Sequence, residues 1–136
     1  MPNHLHLLLH YMWNGKSLNT IIGNGKRFMA YDIIDRLEAR KQERLLARLR
    51  SGVGLTDRER GQKHEVWIGS LDVKQCPTEK FVLQKLNYIH NNPCAGKWKL
   101  ADSPSHYPHS SALFYMNGKM GNYPVKDYQE LLSPDN

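Results

Sequence analysis

No apolar run in this chain approaches the roughly 20 residues that a membrane-spanning helix needs, and the mean hydropathy is low, at −0.65. Cysteine is scarce. Cys76 and Cys94 are the only two, without metal-type spacing, so a disulfide framework and a thiolate metal site are both excluded; they read as reduced thiols of a cytoplasmic protein. The amino end lacks the basic start and small-residue cleavage site of a secretory leader. Nothing resembles an internal repeat. At 136 residues the chain is too short for a (β/α)₈ barrel, a fold whose metal-dependent hydrolases also carry His-x-His on a strand. It reads as a single domain over 1–136, long enough to bury a core.

Positive charge is what the chain has in excess. The formal net charge is +6, and the surplus is local: Gly15 to Arg60 holds eleven Lys/Arg against six Asp/Glu. Such a segment suits a polyanion, because each phosphate neutralised releases counterions. A solvated helix face laced with i,i+4 ion pairs is the other reading of the same charges.

Residues 3–13 alternate as a strand and end at Asn14-Gly15. Ser17 is positioned to cap a helix holding Leu18, Ile21 and Ile22, which Gly23 and Gly25 interrupt. From Phe28 to about Leu49 the spacing predicts one strong helix, with Ile33, Ile34, Leu37, Leu45, Leu46 and Leu49 on its apolar side. Arg36, Arg40, Arg44 and Arg48 recur every four residues on the other. Residues 55–63 read as a polar loop and Glu65-Val-Trp-Ile68 as a short strand. Thr78 caps a second helix over 79–91, with Val82, Leu86 and Ile89 as its core stripe, and Asn92-Pro93 stops it. The tail from Lys97 reads as loop and strand, with a short helical segment at Asp127–Leu132.

His4-Leu5-His6 carries the chemistry. On a strand alternate side chains share a face, so His4 and His6 project together, about 6–7 Å apart, while Leu5, Leu7 and Leu9 fill the opposite face. Two imidazoles so placed are a ready pair of divalent-metal ligands; a strand whose polar face simply carries histidine is the plainer account. Tyr88 and Asn92, four residues apart, share one face of the later helix. The amide oxygen of Asn92 would complete a metal shell, and the Tyr88 phenol would face whatever the metal polarises. Tyrosine at a helix boundary also serves packing, and Asn before Pro is an ordinary helix stop.

Met1-Pro-Asn-His-Leu-His-Leu-Leu and Leu86-Asn-Tyr-Ile-His-Asn-Asn-Pro93 resemble the two signature blocks of the single-tyrosine HUH transposases, the REP-associated tyrosine transposases and their insertion-sequence relatives in particular. Tyr107-Pro-His-Ser-Ser-Ala112 followed by Phe114-Tyr115 resembles a third block of that branch. Val66-Trp67, Gln84-Lys85-Leu86 and Gly96-Lys97-Trp98 also sit where such proteins carry similar residues. The resemblance covers nearly the whole chain. It implies an α+β, ferredoxin-like sheet that carries the HUH strand, with helices packed on one face. The family's further strand and helix before that strand have no counterpart here, so the chain is expected to be N-terminally incomplete, and a homodimer would complete the sheet across subunits.

By the same resemblance, His4, His6 and Asn92 are the metal ligands, Mg²⁺ or Mn²⁺ the cofactor, and Tyr88 the nucleophile. Single-stranded or hairpin DNA is the substrate, cut and rejoined through a 5′-phosphotyrosine in DNA transposition. Lys26, Arg27, Arg36, Arg40, Arg44 and Arg48 would hold the DNA, with Trp67, Trp98 or Tyr107 stacking on exposed bases. Lys85 or His90 would assist proton transfer. A catalytically inactive remnant that grips structured DNA is the alternative. A histidine-triad nucleotide hydrolase ranks last, because Leu8 stands where its third histidine belongs.

Overall fold

The structure is a computed structural model that describes residues 3–67, 69 and 71–132. Along the chain run α1 (Leu18–Ala39), α2 (Glu43–Ser51), α3 (Leu55–Glu59), α4 (Glu79–Asn91), α5 (Ala112–Asn117) and α6 (Tyr128–Leu132), with 3₁₀ turns at Asn92–Cys94 and Pro104–His106. Contacts group the chain into two compact units. One comprises the residues up to His10 together with those from Lys74 onward; the other is Tyr11–Val73.

The expected ferredoxin-like α+β sheet is overturned: among the described residues there is no β-strand. Residues 4–13 form no regular element, and no backbone hydrogen bond joins 4–10 to another segment among the described residues. Alternation prepares a segment for a sheet; a ladder also needs a neighbouring strand, and none is present among the described residues. The faces are also exchanged relative to expectation. Leu5, Leu7 and Leu9 are 53%, 59% and 51% exposed, whereas His6 and Leu8 are half-buried. The strand expected at 65–68 is likewise not formed at residues 65–67, and Ile68 lies outside the described residues.

In the Tyr11–Val73 unit, the Ser17 hydroxyl accepts from the Thr20 N–H at 3.2 Å and starts α1. The helix then runs through Gly23 and Gly25 without interruption, because neither glycine takes a positive φ. It stops at 40–42 instead. The Gln42 N–H reaches the Leu37 carbonyl and the Lys41 N–H the Glu38 carbonyl, both at 2.9 Å. That pair of bonds is a Schellman cap, with Lys41 at φ 53° in the left-handed position usually held by glycine. The single helix expected over 28–49 is thus two helices. Leu46, 1% exposed, and buried Val53 form the centre of α2 and its exit. Residues 55–63, expected as loop, contain α3, which ends in a second Schellman cap: Gln62 N–H to Asp57 carbonyl and Gly61 N–H to Arg58 carbonyl, with Gly61 at φ 88°.

In the other unit, the Thr78 hydroxyl accepts from the Phe81 N–H at 3.3 Å and begins α4 as expected. Val82 and Leu86 are buried with Tyr128, and Leu8, Cys76 and Tyr115 pack against them. The short helix expected at Asp127–Leu132 forms as α6, α5 stands where loop or strand was expected, and no strand forms in the tail among the described residues. The Tyr128 N–H donates to the Tyr115 hydroxyl at 3.2 Å, and the Tyr128 hydroxyl donates to Glu79 at 3.3 Å. These bonds tie α6 to both neighbours. No helix among the described residues is long and apolar enough to cross a membrane.

Candidate active site

His4, His6, Tyr88 and Asn92 all lie within one unit, and the structure brings them together. The extended amino segment carries both histidines past the last turn of α4. The His4 and His6 rings meet edge to face at 4.9 Å between centroids, and His6 meets Tyr88 the same way at 5.7 Å. His6 Nε2 and Asn92 Nδ2 are 2.8 Å apart. With the amide nitrogen donating, Nε2 is the unprotonated nitrogen of the ring.

Partial burial holds the His6 imidazole below its ordinary pKa, and the charge of His4 acts in the same direction. Both effects favour the neutral ring, the form able to donate a lone pair to a cation. Tyr88 is 61% exposed and its phenol makes no hydrogen bond among the described residues, so its oxygen is open to an incoming group.

Two ligand atoms about 2.1 Å from one cation and at right angles to each other are about 3 Å apart, close to the His6–Asn92 spacing. Turning the Asn92 side chain over about its terminal torsion puts Oδ1, a metal-donor oxygen, where Nδ2 now sits. Among the described residues no group of three His, Cys, Asp or Glu side chains could hold a metal. The His4 ring lies beside the His6–Asn92 pair, with its Nδ1 2.9 Å from the Asn3 side-chain oxygen. With the Asn92 rotation His6 and Asn92 fit a shared cation.

His90 was expected as an aid to proton transfer; its geometry gives it other work. It is 3% exposed, and its Nε2 lies 2.9 Å from the Ser111 hydroxyl. Burial lowers its pKa, and its ring packs 5.6 Å from that of Tyr115. The Lys85 ammonium lies 5.9 Å from the Phe81 ring centroid. Sequence reasoning missed the His90–Ser111 contact. The signal was present: His90 follows Val82 and Leu86 at four-residue intervals and so extends the buried stripe.

The expected DNA-contact residues are in the other unit and do not form one row. Arg36 lies on α1 and pairs with Asp32 at 2.8 Å, Arg40 caps α1, and Arg44 and Arg48 lie beyond the turn on α2. Lys26 and Arg27 rest against aromatic rings, Lys26 5.9 Å from Trp67 and Arg27 5.3 Å from Phe28. The Trp67 indole donates to the Lys26 carbonyl at 2.8 Å, so its edge is committed within the fold. Trp98 is 44% exposed with Lys97 over its ring at 4.9 Å. Tyr107 is half-buried beside His109.

No family model, curated protein or solved structure matches the chain.

Proposed function

We propose that the chain is a DNA strand transferase of the single-tyrosine HUH type, in which Tyr88 cleaves single-stranded or hairpin DNA next to a divalent cation held by His4, His6 and Asn92. The observation that carries this reading is the 2.8 Å approach of His6 to Asn92, with Tyr88 edge-on to the same imidazole. Residues distant in the chain converge where one phosphodiester could meet both a nucleophile and a pair of donors.

In the proposed reaction the Tyr88 phenolic oxygen attacks phosphorus and its proton is lost. The P–O bond to the 3′ oxygen breaks, leaving a 5′-phosphotyrosine and a free 3′-OH. A later 3′-OH attacks the same phosphorus, the phenol leaves, and the strand is rejoined without an external energy source. A bound divalent cation, Mg²⁺ or Mn²⁺, would supply charge neutralisation at a non-bridging phosphate oxygen. Once the Asn92 amide is turned over, the neutral His6 ring offers its Nε2 lone pair to such a cation, and the exposure of Tyr88 gives the nucleophile room.

The test is a covalent adduct. Protein mixed with Mn²⁺ and a hairpin oligonucleotide is expected to give a shifted band on a denaturing gel, absent for Tyr88→Phe and for the His4→Ala/His6→Ala pair. An adduct that persists in Tyr88→Phe removes the nucleophile assignment. Salt-dependent DNA binding with no adduct under any divalent metal selects the second reading, a non-catalytic protein that grips structured DNA.

A further inference from the structure

Beyond the tyrosine site, the Tyr11–Val73 unit carries a second concentration of chemistry that the arginine spacing in the sequence does not reveal. The α3 cap at Gly61 reverses the chain, and the Glu65 N–H then donates to the Leu49 carbonyl at 2.9 Å. His64 is thereby laid beside the end of α2. Its Nε2 accepts from the Arg50 Nε–H at 3.0 Å. The Gln62 side chain donates to the His64 carbonyl, and Arg58 Nη2 donates to the Arg50 carbonyl at 3.2 Å.

These contacts surround an open depression of about 590 Å³, lined by Arg50, Arg58, Lys63 and His64 with Glu38 at the end of α1. Three cations face one carboxylate. None of the three takes part in an ion pair among the described residues.

We infer that this depression is a phosphate-binding site, with Arg50 and Arg58 as the principal ligands and Lys63 as an added charge. The hydrogen-bond pattern supports this chemistry. Arg50 spends Nε–H on His64 and keeps both terminal nitrogens. Arg58 spends one Nη2 hydrogen on the Arg50 carbonyl and keeps the rest. Each guanidinium is held in place before any ligand arrives, so less side-chain freedom is lost on binding. Two planar forks match the tetrahedral oxygens of phosphate better than ammonium groups do. Glu38 repels an anion from one wall and sets the side from which it enters. The ligand is the phosphate group of a free nucleotide or of a nucleic-acid strand; the chemistry is shared, and the source is read from the experiment. The inference is independent of Tyr88.

The experiment is a titration of the whole chain at constant ionic strength, following the arginine Nε–Hε signals by NMR. Inorganic phosphate, adenosine monophosphate and a ten-nucleotide single strand lacking a terminal phosphate are the three probes. Saturable shifts centred on Arg50 and Arg58 are expected. In Arg50→Gln/Arg58→Gln, followed through the backbone amides of Gln62 to His64, the affinity is expected to fall at least about tenfold, since charge-assisted bonds to both guanidinium groups are lost. Lys63→Gln, which removes a charge without touching the hydrogen bonds, is expected to weaken binding by a smaller factor.

Saturation by phosphate and the mononucleotide alone identifies a small ligand. Saturation by the strand identifies a backbone phosphate. Shifts absent with all three probes, or equal in size at Arg36, Arg40, Arg44 and Arg48, overturn the site, as does unchanged affinity in both variants. Because the readout needs no covalent chemistry, loss of the Tyr88 adduct and loss of this site are separate results.

Discussion

His90 Nε2 and Ser111 Oγ, 2.9 Å apart, join the last turn of α4 to the start of α5. Tyr88 and Asn92 flank His90 on either side in the chain, so the bond fixes the rotation of the helical turn from which both project. The pair positions the candidate site from behind without touching it.

Ser111→Ala would leave the buried His90 ring nitrogen without its partner. The expected loss is about 1–3 kcal/mol, the cost of an unsatisfied buried polar group. Urea unfolding measures it as a lower midpoint at unchanged slope. Ser111→Thr, which keeps the hydroxyl, should recover most of the loss; a change under about 0.5 kcal/mol in Ser111→Ala would show that the bond adds nothing.

Burial lowers the pKa of His90, and of His6, in the folded chain. The unfolded chain therefore binds more protons as pH falls below about 6.5, so their contribution is complete above that value and declines below it. Stability followed by thermal melts from pH 7.5 to 5 should fall with acid, and His90→Gln should flatten the slope. An unchanged slope in that variant would place the acid sensitivity elsewhere.

Lys41 holds a left-handed conformation at the end of α1. A side chain there costs about 1 kcal/mol that glycine avoids. Lys41→Gly is expected to raise stability by about 0.5–1 kcal/mol, measured by denaturant midpoint, because the residue sits on the surface and its backbone bonds are kept.

Gly23 and Gly25 sit inside α1 with helical backbone, and a methyl group at either would meet no atom within 4 Å. Gly23→Ala and Gly25→Ala should each stabilise by about 0.5–1 kcal/mol through lower unfolded-state entropy and better helix propensity. The two gains should combine in the double variant. A loss in either would mean that close backbone approach matters there.

The helix α4 was legible from the sequence because every local signal agreed: Thr78 to cap it, four-residue apolar spacing, and Pro93 to end it. The break between α1 and α2 was hidden, because no glycine or proline marks it and Lys41 takes the glycine role. Gly23 and Gly25 were the opposite case, residues that signal interruption but adopt helical angles. Alternation at 4–10 predicted a strand that does not form, since a ladder depends on a second segment that periodicity cannot supply. It also suggested the leucine side as the covered one, whereas Leu8 and His6 turn toward α4. The pairs His4–His6 and Tyr88–Asn92 were each readable as spacing within a motif, whereas the meeting of the two pairs was what the family resemblance implied. The Arg50–His64 contact was not, because it depends on the chain reversal at Gly61.

The unpaired amino segment has an energetic consequence. Its amide hydrogens are unprotected by any ladder, so deuterium should replace them early while the interior of α4 still resists. Among the described residues its hold on the rest of the unit is through side chains, chiefly Leu8 in the apolar cluster and His6 against Asn92. The contact of the imidazoles with Tyr88 thus depends on how those side chains seat, and the proposed chemistry would scale with the fraction of molecules in which they are seated.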